Sequence, residues 1–321
     1  MNKILRGVVM NLKSICALVI VAWATNSVAD DPAWYPSKWG KDDQLGAFNM
    51  NGPALTLEAA KLIKTGKTYR LGIESNPSTP AFPPRNLHVI VLAPNQLSGK
   101  SLGTNKMTYA DDIINGWVGV GSQIDGLGHA GIDQRYYNGV EGNDFIKPDG
   151  LTKYGTQQFP PVVTRGILID MAKCAGKDIL EVGYAYTKVL IEACAKQQNT
   201  DIKRGDVVLF NSGWMNLITK DLATYNKGEP GLGKGGAEYL AGLEVMAVGA
   251  DTWGVEVLPV ETADEAFPVH QILLPKNGIY ILENMDTREL AKDQAYEFMF
   301  VLGAARLTGA VQMIINPIAI R

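Results

Sequence analysis

One α/β (or α+β) domain, rich in strands and sparing in helices, is what this sequence predicts, and three observations carry that reading. Apolar runs of strand length recur at residues 87–92, 162–170, 206–210 and 278–282, flanked by Gly, Pro, Asn or Asp. Helical apolar spacing is confined to brief stretches near residues 56–60, 187–196 and 237–243. No linker and no internal repeat divides the succession. A length that by itself admits one large domain or two ordinary ones is therefore read as one.

In chain order, residues 1–29 read as a secretory signal. Lys3, Arg6 and Lys13 give a positive start, residues 15–23 an apolar run, and Ser27-Val28-Ala29 the small residues of a cleavage site. The run falls short of the ~20 residues that span a bilayer. Cleavage after Ala29 leaves residues 30–321 as the mature domain, periplasmic or secreted. An irregular arm covers 30–53. Thr56 or a residue near it is expected to cap a short helix that begins over 56–60 and that Gly66 ends. A strand over 68–73 and a proline-rich loop over 77–84 follow. Residues 87–92 read as a buried strand with His88 a core histidine.

A strand over 117–125 leads into the turn Gly126-Leu127-Gly128, and 135–151 reads as loop. Then come a strong strand over 162–170, a helix over 187–196, strands at 206–210 and 246–248 around a helix at 237–243, and a strand over 278–282 running into Glu283. Residues 295–302 and 313–320 close the domain as strands. Cys16 leaves with the signal. Cys174 and Cys194 remain, either as a disulfide or as two buried thiols, since sequence does not place their Cα atoms.

Composition removes several function classes. A net charge of −3, with no basic block, argues against nucleic acid and against electrostatic membrane docking. No G-x-G-x-x-G follows a strand, and neither a Walker sequence nor G-x-S-x-G is present. Dinucleotide, nucleoside triphosphate and serine-hydrolase chemistry lose their usual signatures.

The histidines at 129 and 270 remain. Asp125 and His129 flank a small-residue turn that lets both side chains converge, a half-site for a divalent metal. His270, and Glu283 at the end of an apolar strand, offer a second half-site, because a carboxylate leaving a core strand needs a partner. Spacing alone equally allows an ordinary Asp–His hydrogen bond and a surface glutamate.

The stretch from Gly121 to His129 resembles the signature H-x-G-T-H-x-D-x-P-x-H of the cyclase family that includes kynurenine formamidase and isatin hydrolase. Asp125 matches its aspartate and His129 its last histidine. His270-Gln271-Ile272-Leu273-Leu274, Gly278 and Ile281-Leu282-Glu283 resemble the family's later histidine-to-glutamate segment. Residues 39–46, 164–170, 205–209, 212–214 and 249–252 also resemble it, in the family's order. Arg165 and Asp251 lie in such segments without an assigned role beyond a structural ion pair.

Two departures stand out. The first two signature histidines fall on Gly119 and Gln123, and the proline on Leu127. The resemblance thus implies one surviving metal site, held by Asp125, His129, His270 and Glu283, with the second lost or weakened and Gln123 left to offer a neutral oxygen. It also implies a swivelling β/β/α fold and association as a homodimer or homotetramer.

Two imidazoles and two carboxylates suit Zn²⁺, with Mn²⁺ next. The activity expected is hydrolysis of a cyclic amide, lactone or N-formyl amide of a small carbonyl compound, with His129 or Glu283 moving the proton. Trp117, Gln123 and Phe48 are the expected substrate contacts. The alternatives are a lyase or dehydratase using the same metal, and a periplasmic binding protein with a degenerate site.

Overall fold

Nine of the strands join into one sheet in the computed structural model, which describes residues 34–92 and 100–321. The expected signal peptide lies outside the described residues. In chain order the strands are β1 (Thr68–Arg70), β2 (Gln123–Asp125), β3 (Val162–Asp170), β4 (Val207–Asn211) and β5 (Ala247–Ala250), then β6 (Tyr280–Glu283), β7 (Glu297–Leu302), β8 (Gln312–Ile314) and β9 (Ile318–Ile320). Their order across the sheet is β1-β9-β7-β3-β4-β5-β6-β2-β8.

The centre, β3-β4-β5-β6, is parallel, and every pairing outside it is antiparallel. Parallel strands covered on both faces read as continuous apolar runs, and β4, β5 and β6 are buried at every residue. β7, on the antiparallel flank, alternates half-buried with buried. The result is the mixed α/β, strand-rich, single-domain architecture the sequence predicts.

One link forces the sheet to curl. β8 is the last strand at one edge, and β9 is second from the other edge. Flat, they would stand seven strand spacings apart, about 34 Å at ~4.8 Å each. Yet Ile314 and Ile318 are four residues apart in the chain, a reach of at most ~14 Å. The two ends of the sheet must therefore approach each other. Closing bonds do this: Ile315 N–H donates to Ser122 O at 2.9 Å, and Leu71 N–H to Pro317 O at 2.9 Å.

Helices α2 (Lys188–Gln197) and α3 (Lys234–Gly242) make the crossovers from β3 to β4 and from β4 to β5. Thr187 caps α2 by accepting Leu190 N–H at 3.3 Å. Cys194 on α2 is disulfide-bonded to Cys174, 20 residues earlier, with Cα atoms 5.6 Å apart. This settles the alternative the sequence left open and ties α2 to the short helix that follows β3. A closed loop of this size stabilises a fold by about 3 kcal/mol through the unfolded chain. Denaturant unfolding of the double variant Cys174→Ser/Cys194→Ser is expected to show a loss of that order, and reduction of the native protein the same.

Several expectations need correction. Thr56 caps nothing. Helix α1 runs Pro53–Ala60, Pro53 taking the first helical position where its missing N–H is harmless, and Thr56 lies inside it. Of the strand expected over 117–125 only Gln123–Asp125 forms; residues 118–122 are bends, and the strand before them, Asp111–Gly116, ends short of Trp117. The loop expected over 135–151 contains a 3₁₀ turn, a short helix and a two-stranded ribbon.

The largest correction is Leu87–Leu92. It pairs with Asp111–Gly116 in a hairpin that joins no other sheet among the described residues. Val89, Ile90, Val91, Ile113 and Ile114 are exposed, and His88 is exposed with them. An apolar run signals a strand, but it does not say that this chain alone covers it.

Candidate metal centre

The sheet itself makes the floor of the site. Residues 123 and 125 of β2 point to one face, as alternate residues of a strand do. The register places Glu283 of β6 opposite Gln123 and Gln312 of β8 opposite Asp125. Four polar side chains from three strands thus share one patch, all of them buried. Buried carboxylates demand donors. Gln123 Nε2 donates to Glu283 Oε2 at 2.6 Å and to Asp125 Oδ1 at 3.1 Å, and Gln312 Nε2 donates to Asp125 Oδ1 at 2.6 Å. Gln123 therefore offers its amide nitrogen to the carboxylates, not the neutral oxygen expected of it.

The other oxygen of each acid faces the histidines. His129 follows β2 through a turn closed by its own N–H to Gly126 O at 2.9 Å. The turn's glycines are required by close packing, not by a left-handed backbone. A Cβ at Gly126 would stand 2.7 Å from Val311 O, and one at Gly128 2.7 Å from Leu151 Cδ1. His129 Nε2 lies 3.8 Å from Asp125 Oδ2.

His270 sits on α4 (Pro268–Gln271), which Phe267 enters with φ 48°. Thirteen residues upstream of Pro268, Val255 has φ 62°, a conformation that costs a β-branched residue roughly 1–2 kcal/mol. That turn carries Glu256 under the start of α4. Glu256 accepts Val269 N–H at 3.3 Å, His270 N–H at 3.2 Å and His270 Nδ1 at 2.5 Å. With Nδ1 as the donor, the Nε2 lone pair of His270 is turned toward Asp125 Oδ2 at 3.7 Å and Glu283 Oε1 at 3.5 Å. Carboxylate–histidine pairs of this kind orient metal ligands.

The residues fit a metal on a local test. Asp125 Oδ2 is buried and has no hydrogen-bond partner, a costly condition unless something positive meets it. Ligand atoms of Asp125, His129 and His270 lie within 4.8 Å of one another. Ligands around a small four-coordinate ion at ~2.1 Å stand roughly 3.4 Å apart, close to the 3.5–3.8 Å gaps measured here. Glu283 joins through His270.

Electrostatics point the same way. Burial works to raise the Asp125 carboxyl, but His129 and His270 beside it and the Gln312 amide hold it at about 2. Burial, then the charge of Asp125, push Glu283 up to about 7. Burial lowers His129 despite Asp125, leaving its imidazole neutral. Burial also works to lower His270, yet the carboxylates of Asp125, Glu256 and Glu283 around it hold it well above the ordinary histidine range. Without a cation, then, the centre stores protons on His270 and Glu283.

A cavity of about 210 Å³ opens onto this centre, with His129, His270 and Glu283 in its lining and Phe82, Arg85, Trp253 and Phe267 around them. The loop bearing Trp253 is anchored from behind, where buried Glu229 accepts Trp253 N–H at 2.7 Å and Gly254 N–H at 2.8 Å.

The structure thus brings together Asp125, His129, His270, Glu283 and Gln123. It does not bring Phe48, which is buried and stacked on Tyr280 at a centroid distance of 3.6 Å as a packing residue. Trp117 is 45% exposed at the foot of the hairpin and is not part of the cavity lining. Arg165 is structural, bonded to Asp206 at 2.9 and 2.7 Å. Asp251 forms no ion pair among the described residues and instead accepts Ser212 N–H and Oγ–H.

Sequence reasoning missed Glu256, Gln312 and Arg85. Glu256 alone carried a signal, a carboxylate between Val255 and Val257, which in an otherwise apolar run implies an inward acid with a partner.

Residues 69–257 match the sequence model of the family described as "Putative cyclase". That span contains Asp125, His129 and Glu256, while His270 and Glu283 lie beyond it. None of the curated proteins matches the chain. Among solved structures, the crystal structure of a novel cyclase is 30% identical with TM-score 0.80, covering 89% of this chain and 98% of that one. An isatin hydrolase bound to the product analogue thioisatinate is 18% identical with TM-score 0.60, covering 83% of this chain and 97% of that one. A predicted metal-dependent hydrolase from Bacillus stearothermophilus is 18% identical with TM-score 0.50, covering 79% and 97%. The last two share the fold. With a family match over more than half its length and a 30% identical relative across 89% of it, this chain belongs to the cyclase family.

Proposed function

We propose that this protein is a divalent-metal-dependent hydrolase that opens a cyclic amide, lactone or N-formyl amide of a small carbonyl compound. The observation that carries the reading is the buried, unpartnered Oδ2 of Asp125 facing the Nε2 atoms of His129 and His270 at 3.8 and 3.7 Å. Asp125, His129, His270 and Glu283 would hold the ion. Two imidazoles with two carboxylates favour Zn²⁺, with Mn²⁺ next. When bound, such an ion supplies Lewis acidity and lowers the pKa of water toward ~7.

The chain's own groups do the rest. Glu256 fixes the His270 tautomer. Gln123 and Gln312 tie down one oxygen of each carboxylate, so that Oδ2 and Oε1 alone face the cavity side of the patch. Glu283 lines the cavity, and its carboxylate is placed to take and return a proton when it is not bound to the ion; in the metal-free centre burial and Asp125 push it up to about 7. His129, partly exposed at the opening, is the second candidate to move that proton when it is not bound to the ion. Phe82, Trp253 and Phe267 present apolar faces that limit water around a small planar substrate. Export belongs to the same reading, and the Cys174–Cys194 disulfide supports it, because such bonds persist in oxidising compartments.

The test is turnover of a panel of lactones, cyclic amides and N-formyl amines by Zn- and Mn-loaded protein in H₂¹⁸O. One heavy oxygen per product acid is expected. Product formed without heavy oxygen would replace hydrolysis by elimination, and absence of turnover with either metal across the panel would remove the enzyme reading.

A further inference from the structure

The proposed reaction leaves one charged group of the cavity unused. Arg85 lines it beside His129 and Glu283. Its Nη1 donates to Gly119 O at 3.2 Å. Arg135, Arg165, Arg204 and Arg288 each meet a carboxylate. Arg85 has no carboxylate within ion-pair distance among the described residues. A guanidinium carries five N–H donors in a planar fork, and among the described residues Gly119 O is the one acceptor that meets it while the side chain lines the cavity.

Its place is prepared by the backbone. Gly119 has no Cβ, and one built there would stand 2.5 Å from Gln312 Oε1 and 3.1 Å from Arg85 Nη1. Any side chain at 119 would therefore press on both the guanidinium and the amide that holds Asp125. The charge of Arg85 is felt at the centre, where it works to lower both His129 and Glu283.

The surroundings define what Arg85 would take. Phe82 stands 6.2 Å, centroid to centroid, from both Trp253 and Phe267, and Phe267 lies edge-on to His270 at 5.3 Å. These rings wall a space of about 210 Å³, small enough for a single-ring compound. Asp125 and Glu283 would balance a divalent ion, which leaves the guanidinium as the unmatched charge at the cavity wall. A half-buried guanidinium beside apolar rings is best met by a planar anion that accepts two of its N–H groups.

We propose that Arg85 is a substrate-binding residue that anchors a carboxylate, and that the substrates of this site are single-ring carbonyl compounds carrying a carboxylate group apart from the bond that is cleaved. The proposal deepens the hydrolase reading and rests on it for the word substrate, but the anion site itself is testable without turnover.

Benzoate and its neutral isostere benzamide are the probes. Their affinities are measured by calorimetry on the full chain as purified and again after chelation, for wild type, Arg85→Gln and Arg85→Lys, with circular dichroism and metal content as controls. Benzoate is expected to bind wild type at least tenfold more tightly than benzamide, before and after chelation. Arg85→Gln is expected to remove that difference while leaving benzamide affinity, fold and metal content unchanged. Arg85→Lys should keep part of it, retaining the charge but not the fork.

Equal benzoate affinity in wild type and Arg85→Gln would overturn the proposal. So would a preference for benzoate that survives Arg85→Gln and disappears on chelation, since the anion would then sit on the metal. If no amide or lactone is turned over, the hydrolase reading fails while the Arg85-dependent preference still stands or falls by itself.

Discussion

Replacing His270 by alanine is expected to lower bound metal from about one ion per chain to background and to abolish turnover. His270 is the hub of the centre, with Nε2 3.7 Å from Asp125 Oδ2 and 3.5 Å from Glu283 Oε1, so its loss leaves two buried acids with no imidazole between them. Glu256→Gln supplies a graded comparison. The glutamine keeps the size of the side chain but replaces a charged acceptor with a neutral one at the Nδ1 hydrogen bond. Loss of an outer partner of this kind costs roughly 10–100-fold in metal affinity, and loss of the ligand itself must cost more.

The measurement is elemental analysis of both variants beside wild type, followed by competition with a chromophoric chelator. The order wild type, Glu256→Gln, His270→Ala in falling affinity is the expected result. Full metal occupancy in His270→Ala would show that the ion is held elsewhere. Folding must be checked in parallel, because an unpaired buried acid destabilises the fold as well. The double variant His270→Ala/Glu283→Gln, which removes one of the stranded charges, should recover stability without recovering metal.

How far the sequence reveals this centre depends on what sets each residue in place. Asp125 and His129 are legible because local chain builds them, a strand end and a turn with glycines at 126 and 128. The parallel centre of the sheet is legible for a similar reason, since strands buried on both faces must be apolar throughout, and 162–170 matches β3 end to end. His270 and Glu283 carry little local signal and are reached through family resemblance.

Gln312 is invisible in principle. Its bond to Asp125 spans 187 positions and exists only through the register of β8 on β2. Glu256 acts through the left-handed turn at Val255, which no propensity scale would place on a β-branched residue. Phe48 and Leu87–Leu92 show the converse. Aromatic and apolar residues announce burial somewhere, but the fold decides whether that is the core, as for Phe48, or a hairpin exposed on this chain.

Metal affinity is expected to fall steeply as pH drops below 7, by about tenfold per pH unit for each proton that the ion must displace. Which groups contribute follows from their individual positions. Asp125, held at about 2, is ionised across this range and adds no slope. His129 is lowered by burial, so it adds less to the slope than Glu283 or His270. Glu283, raised by burial and by Asp125 to about 7, gains a proton as pH falls through that value. His270, held well above its ordinary range by Asp125, Glu256 and Glu283, carries a proton throughout and must give it up.

Between pH 7.5 and 5.5 the slope should therefore approach two protons per ion, a loss of at least about a hundredfold. Glu283→Gln should flatten it toward one. The metal-free fold responds with the opposite sign. The folded-state value for Glu283 lies above the unfolded one, so its contribution to stability is complete below the unfolded value and is lost as pH rises through about 7. Metal-free protein should gain from acid at this residue, while the rise in Tm produced by metal shrinks in acid. Chelator competition at three pH values, with Tm recorded with and without metal, reads both effects. A metal affinity independent of pH over this range would mean that His270 and Glu283 do not bind the ion, and would take the centre apart.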